Sequence, residues 1–270
     1  MIRVSLLLFM LSAGLTEADC GPEPAPCELP NGTYHVILPD GPGPFPAIVF
    51  VHGYGGSGTG TLANVDMVQA VLARGYAVIA PDGQERPNLE GRSWDFHPDR
   101  PAARDEAAFI RLVADDAALR FNLSREQMLL AGFSIGGSMV SYLACRDPSA
   151  FAAYAPISGS FWRPEPTECL GPVRLLHMHG WTDQTVPLEG RAITSDFIQG
   201  DVFKALQTWR VTNGCTDMRP DAFSTSGDFQ IRSWTKCSAG SRLDFALHFG
   251  GHRVPPGWAP LALDWFEALP

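Results

Sequence analysis

Short, unbroken apolar runs alternate along the chain with longer stretches in which apolar residues recur at helical spacing. Ala47-Ile48-Val49-Phe50-Val51 is continuously apolar, the pattern of a central strand covered on both faces. Before it, Tyr34-His35-Val36-Ile37-Leu38 reads as an opening strand closed by the turn residues Pro39-Asp40-Gly41. After it, Val65 to Arg74 carries a helical pattern ending at Gly75, a cap residue. The next strand is Tyr76 to Ala80, closed by Pro81-Asp82-Gly83. Arg104 to Phe121 is the longest helical stretch, with Ala108, Ile110, Leu112, Val113 and Leu119 among its apolar positions. Met128 to Gly132 predicts a strand and Ile135 to Cys145 a helix; Val173 to Met178 and Val202 to Val211 repeat the alternation. Phe245-Ala246-Leu247 ends the strand series, and Pro260 to Leu269 predicts a closing helix. Strands alternating with helices predict an α/β fold, a mostly parallel central sheet with helices on both faces. No repeat, low-complexity block or linker interrupts the pattern.

The N-terminus departs from it. Arg3 followed by the apolar run Ser5 to Leu11 has the form of an export signal, too short to span a bilayer. Thr16-Glu17-Ala18 offers small residues where a signal peptidase reads, so residues 1–18 are expected to be removed and 19–270 to form one catalytic domain. A buried N-terminal helix is the rival reading. Cys20 does not make a lipobox, because Glu17 and Asp19 put acids beside it. No later segment is apolar for long enough to cross a membrane, which predicts a secreted or periplasmic protein.

Composition narrows the partners. With 20 Lys+Arg against 29 Asp+Glu the formal charge is −9, which argues against nucleic acid and gives no help at an anionic membrane surface. The six cysteines, Cys20, Cys27, Cys145, Cys169, Cys215 and Cys237, suit disulfides in an exported chain. Six allow about fifteen connectivities, and proximity favours Cys20–Cys27, Cys145–Cys169 and Cys215–Cys237. No pair has the Cys-x-x-Cys spacing of structural zinc, so no metal is expected. Asn31-Gly32-Thr33 and Asn122-Leu123-Ser124 match the glycosylation acceptor pattern, which matters only in a eukaryotic secretory pathway.

Chemistry collects at the strand ends. Gly132-Phe133-Ser134-Ile135-Gly136 is a G-x-S-x-G motif between an expected strand and an expected helix, the context of a nucleophile elbow. Such a turn tolerates only small neighbours and aims a helix N-terminus at the reacting centre. A serine hydroxyl needs a base, and the base an orienting acid. Asp183 follows the strand Val173–Met178 in His179-Gly180-Trp181-Thr182-Asp183, and His252 follows the last strand in Gly250-Gly251-His252. Ser134, Asp183 and His252 stand in the chain order Ser, acid, His that this kind of site uses. His248 is the rival base; Glu189 and Asp201 are rival acids. Ile135 N–H and Tyr54 N–H, in the loop His52-Gly53-Tyr54-Gly55-Gly56, are the expected oxyanion donors, with His52 as loop scaffolding. Trp181 and Trp94 are the candidate substrate-binding aromatics; Phe96, Phe161 and Trp162 fit either a pocket or the core.

The same loop supports a competing class. Gly53 to Gly58 matches G-x-G-x-x-G after a strand, with Asp82 ending the next strand, which imitates the dinucleotide fingerprint of an oxidoreductase. Against it, Thr59-Gly60-Thr61 is expected to continue the loop where the fingerprint needs a helix, and export does not suit a diffusing nicotinamide. A non-catalytic binding protein on the same fold is the other alternative.

These residues resemble a known family, the exported α/β-hydrolase esterases that include polyhydroxybutyrate depolymerases, feruloyl esterases and acetylxylan esterases. The resemblance is carried by Leu38-Pro39-Asp40-Gly41, His52-Gly53, Asp105, Gly132 to Gly137, His179-Gly180-x-x-Asp183 with Val186-Pro187, Asn213-Gly214-Cys215 with Trp234 and Cys237, and Gly250-Gly251-His252. It implies Ser134 as nucleophile, Asp183 as acid, His252 as base and a Cys215–Cys237 disulfide. Arg253-Val254-Pro255-Pro256-Gly257 departs from the family's aromatic-Pro-Gly after the histidine, at the pocket rim. The expectation is a cofactor-free serine esterase acting on feruloyl, acetyl or 3-hydroxybutyryl esters, small or oligomeric.

Overall fold

A computed structural model describes residue 20, residues 25–86 and residues 90–269; the expected signal at 1–18 lies outside them. The chain opens with β1 (Cys27–Leu29), β2 (Gly32–Ile37) and β3 (Phe45–Val51). Two helices follow, α1 (Gly58–Leu62) and α2 (Val65–Leu72), then β4 (Ala77–Pro81) and the small pair β5 (Gln84–Glu85) and β6 (Arg92–Ser93). Next come α3 (Glu106–Phe121), β7 (Leu123–Phe133), α4 (Ile135–Arg146), β8 (Ala153–Ile157), β9 (Trp162–Arg163) and β10 (Arg174–Gly180). The remainder is β11 (Ala192–Thr194), β12 (Phe197–Gln199), α5 (Val202–Thr212), β13 (Ala222–Ser226), β14 (Phe229–Trp234), β15 (Arg242–His248) and α6 (Trp258–Glu267).

Ten strands form one sheet in the order β1-β2-β4-β3-β7-β8-β10-β15-β14-β13. From β4 to β15 every neighbouring pair is parallel, and the pairs at both edges are antiparallel. Alternation along β3 explains the two-sided core. Val49 and Val51 belong to the apolar layer under α3, α4 and α5, whereas Ile48 and Phe50 join the layer under α2 and α6. Side-chain caps start the helices where the sequence has Asn or Asp: Ala108 N–H donates to Asp105 Oδ1 at 3.0 Å, and Met67 N–H to Asn64 Oδ1 at 3.3 Å. Asn122, left-handed at φ 52°, ends α3.

Several elements differ from the sequence pattern. β8 has no counterpart in it, because Pro156 interrupts the run; the strand lies in register with β7, opposite Gly132. The β13–β14 hairpin has none either, since every residue of β13 is exposed and its sequence is short and mostly polar. α6 begins at Trp258 rather than Pro260, which sits in the first turn, where a missing N–H costs nothing. Three disulfides, Cys20–Cys27, Cys145–Cys169 and Cys215–Cys237, use all six cysteines. The latter two close separations of 24 and 22 residues, each contributing about 3 kcal/mol on a loop-entropy account.

Candidate active site

β7 ends at Phe133 and α4 begins at Ile135, so Ser134 alone makes the turn. Its backbone sits at φ 58° and ψ −122°, a conformation that costs a non-glycine residue about 1–3 kcal/mol. Close packing holds it there. A Cβ on Gly136 would come within 2.2 Å of Val51 O, and one on Gly132 within 2.6 Å of Gly136 O. Sequence reasoning missed Gly159, where a Cβ would lie 2.0 Å from Ser134 O; no motif marks that position. Ser134 N–H donates to Ile157 O at 2.9 Å, tying the elbow to the unexpected strand β8.

Asp183 lies in a tight turn just past β10, with its own N–H donating to Gly180 O. Its Oδ1 accepts from Thr185 N–H at 2.9 Å and Val186 N–H at 2.8 Å, which leaves Oδ2 for His252 Nδ1 at 2.8 Å. Burial works to raise this carboxyl, but the hydrogen bonds from His252 and Val186 N–H, with the nearby imidazoles, outweigh it and hold it below the usual range. Sequence reasoning also missed the support beneath. His179 Nε2 donates to Val186 O at 2.8 Å, and the ring of His177 stacks on His179 with its Nε2 3.1 Å from Nδ1. Burial lowers the pKa of both imidazoles beneath the Asp183 loop.

His252 reaches Ser134 because two glycine-bearing segments run side by side. Gly180 pairs with His248, and Thr182 N–H donates to Gly250 O. A Cβ on Gly180 would lie 2.5 Å from both Gly250 O and Gly251 O. The His252 ring rests 4.7 Å from that of Phe133, with Nε2 2.9 Å from Ser134 Oγ. An imidazole donating Nδ1–H to Asp183 presents the Nε2 lone pair to the serine hydroxyl. The structure therefore brings Ser134, Asp183 and His252 into one relay. The rivals stand elsewhere: Asp201 caps α5, Glu189 is exposed, and His248 is buried with Nδ1 accepting from Gly250 N–H.

The loop after β3 arrives beside the elbow because Val51 pairs with Gly132. At Gly53 a Cβ would lie in contact with Ser134 Cβ at 3.4 Å, so this backbone runs alongside Ser134. Gly55 N–H and Gly56 N–H donate to Arg92 O and Gly53 O, whereas Tyr54 N–H has no partner among the described residues. His52 is scaffolding: Nδ1 donates to Gly53 O at 2.7 Å and Nε2 accepts from Gly83 N–H at 2.9 Å.

The expectation for Trp94 is corrected. It is 2% exposed, donates Nε1–H to His52 O at 2.9 Å and packs against the His52 ring, so it braces the loop from below rather than meeting substrate. Phe96, Phe161 and Trp162 are core residues as well. Trp181, 58% exposed, stands on the rim.

A second correction concerns the glycine-rich loop. Gly58 does open a helix, α1, capped by Ser57, contrary to the expected loop. The dinucleotide reading fails on other grounds. Asp82 Oδ1 already accepts from Gly58 N–H at 2.8 Å, and Oδ2 from Thr33 Oγ1–H at 2.9 Å, with His35 Nε2 at 3.2 Å. Burial alone would raise this carboxyl, yet His35, Gly58 N–H and Thr33 hold it at about 2. A pyrophosphate at this helix end would meet a carboxylate, and the acid that should grip a ribose is fully engaged.

Residues 33–209 match the family model described as phospholipase/carboxylesterase. Feruloyl esterase C of Emericella nidulans is 25% identical over 285 residues, covering 95% of this chain and 93% of that protein. Feruloyl esterase B of Piromyces equi is 24% identical over 228 residues, 78% of this chain, and the chain spans only 40% of that relative's length. Among solved structures, the acetyl xylan esterase from Aspergillus awamori superposes with a TM-score of 0.65 at 15% identity, over 94% of this chain and 99% of that one. At that identity the likeness is one of fold.

Proposed function

The chain belongs to the phospholipase/carboxylesterase family of α/β-hydrolases, and from that premise we propose that it is a secreted serine esterase working through an acyl-enzyme on Ser134. The observation that carries this reading is the unbroken relay from Asp183 Oδ2 to His252 Nδ1, 2.8 Å, and from His252 Nε2 to Ser134 Oγ, 2.9 Å. In the first step His252 takes the Ser134 proton as Oγ attacks the ester carbonyl, and Asp183 stabilises the imidazolium. The oxyanion forms against Tyr54 N–H and Ile135 N–H, with the N-terminal end of the α4 dipole behind it. His252 then gives its proton to the departing alcohol. It next activates water, which releases the acid and restores Ser134.

A hollow of about 310 Å³ beside the oxyanion loop, lined by Phe50, Gly53, Tyr54, Met67, Phe133 and Val254, suits the acyl group. Apolar side chains share its lining with the polar His52, Ser57, Thr61 and Asn64, which fits an acetyl, feruloyl or 3-hydroxybutyryl moiety. The relatives named as feruloyl esterases favour the feruloyl class of ester. Three disulfides support export, with residues 1–18 as the signal and 19–270 as one catalytic domain. Turnover of p-nitrophenyl acetate, methyl ferulate and hydroxybutyrate oligomers by the purified protein tests the reading. Hydrolysis of at least one ester by the wild type and none by Ser134→Ala is expected. A folded wild type that cleaves none would refute it.

A further inference from the structure

Two histidines stand in the middle of the sheet where packing alone calls for aliphatic side chains. β10 runs Arg174-Leu175-Leu176-His177-Met178-His179-Gly180, and His177 and His179 are 1% and 0% exposed. Side chains two apart on a strand share a face, so both rings enter the apolar layer that holds Leu175 and Phe245. The Phe245 ring lies beside His177, with 5.7 Å between ring centres. A buried polar group costs stability unless it is hydrogen-bonded, and a leucine at position 177 would carry no such cost. His177 takes no part in the steps above. What it does bind is His179.

The bonds run in one direction. The two rings are parallel to within 2° with centres 5.4 Å apart, and His177 Nε2 lies 3.1 Å from His179 Nδ1. At that separation the two nitrogens lie on the line joining the rings, the geometry of an in-plane N–H···N bond. His179 Nε2 faces Val186 O at 2.8 Å, and a carbonyl only accepts, so Nε2 bears a proton. Burial lowers the pKa of both rings, His177 well below its ordinary value, so at neutral pH each carries one proton. His179 Nδ1 is then bare, and His177 Nε2–H donates to it. Val186, held at its O by His179, donates its N–H to Asp183 Oδ1 at 2.8 Å and leaves Oδ2 for His252. One series therefore runs from His177 through His179, Val186, Asp183 and His252 to Ser134.

Direction matters because His179 has an alternative. With its proton on Nδ1, the Nε2 lone pair would confront Val186 O at 2.8 Å and Asp183 Oδ2 at 3.6 Å. Both contacts would turn repulsive beneath the loop that holds the acid. The tautomer of an imidazole is set by the bond its other nitrogen makes, and here the donor at that nitrogen is His177.

Resting on the esterase reading, we propose that His177 is a positioning residue: its N–H selects the His179 tautomer that holds Val186 and, through Val186, the Asp183 carboxylate in line with His252. The test replaces His177 by leucine, which fills space without a donor, and by glutamine, whose amide N–H restores one. Kinetics with p-nitrophenyl acetate should show kcat lowered about 10- to 100-fold in His177→Leu, with KM within about twofold of wild type. In His177→Gln kcat should return to within about threefold of wild type. Urea denaturation checks that each variant folds. A folded His177→Leu with wild-type kcat would overturn the proposal whatever its loss of stability. Equal losses of kcat in the two variants would overturn it as well, since shape rather than the donor would then matter. Nitrogen NMR of the histidine-labelled wild type needs no variant to fold. His179 with Nε2 protonated and Nδ1 bare is expected, and the opposite tautomer would overturn the proposal. A wild type that cleaves no ester would overturn the esterase reading and this role with it, whereas an active wild type beside an equally active His177→Leu would overturn the role alone.

Discussion

The centre of the sheet and its C-terminal edge follow opposite rules. In β3 every side chain from Ala47 to Val51 is buried, and β8 is buried throughout, whereas β13 is exposed along its whole length. The centre carries Ser134 on a turn so crowded that four neighbouring glycines, Gly132, Gly136, Gly137 and Gly159, have no room for a methyl group. The edge carries an open aromatic, Phe223, on a hairpin whose turn residue, Gly227, would meet nothing within 4 Å if it bore a methyl group. Chemistry that needs a fixed geometry sits where packing permits one arrangement. Exposed side chains such as Phe223 sit where substitution is cheap.

The largest expected effect is at the centre. His252→Ala or Asp183→Asn should lower kcat about 10³- to 10⁴-fold. His248→Ala, on the same strand end but outside the relay, should leave turnover measurable. The reverse pattern in steady-state kinetics would move the base to His248.

The relay was legible because its constraints leave marks in sequence: the elbow must be flanked by small residues, and the acid and base loops must be glycine-rich to run together at Gly180, Gly250 and Gly251. The edge was not. β13 holds its place through pairing with β14 rather than through burial, so Ala222 to Ser226 shows no hydrophobic pattern. α1 was illegible for a related reason. Gly58-Thr59-Gly60-Thr61-Leu62 has poor helix propensity, and the helix exists because Ser57 and Asp82 satisfy its first amides. Trp94 has the residue type of a pocket wall, and only its partner, the distant His52 carbonyl, reveals it as a brace.

Stability should separate the two regions as sharply as activity does. Gly136→Ala forces a methyl to within 2.2 Å of Val51 O and should cost about 3 kcal/mol or prevent folding. Gly227→Ala meets no neighbour and should cost only about 1 kcal/mol, from its φ of +54°. Urea denaturation of the two variants checks the contrast, and equal losses would break it.

Intermediate in expected effect is Asp82, just past β4 on the side of the elbow away from β13. Its carboxyl titrates at about 2, below its ordinary value, so its stabilisation is present above the unfolded-state pKa and is lost as pH falls through about 2. Asp82→Asn should therefore cost about 2 kcal/mol at neutral pH, with the difference from wild type shrinking as the medium becomes strongly acid. Denaturation midpoints across that pH range measure it; a gap independent of pH would remove the carboxylate from the account. The smallest effect belongs to the edge: Phe223→Ser should change the unfolding free energy by no more than about 0.5 kcal/mol, read from the same denaturation curves.

Peptide mapping of a fluorophosphonate adduct tests the relay most directly, because only a serine activated by its own base reacts readily. A single adduct on Ser134 in the wild type, absent from Ser134→Ala and strongly slowed in His252→Ala, is the predicted result. An adduct on another residue, or one formed on Ser134 at the same rate without His252, would contradict it.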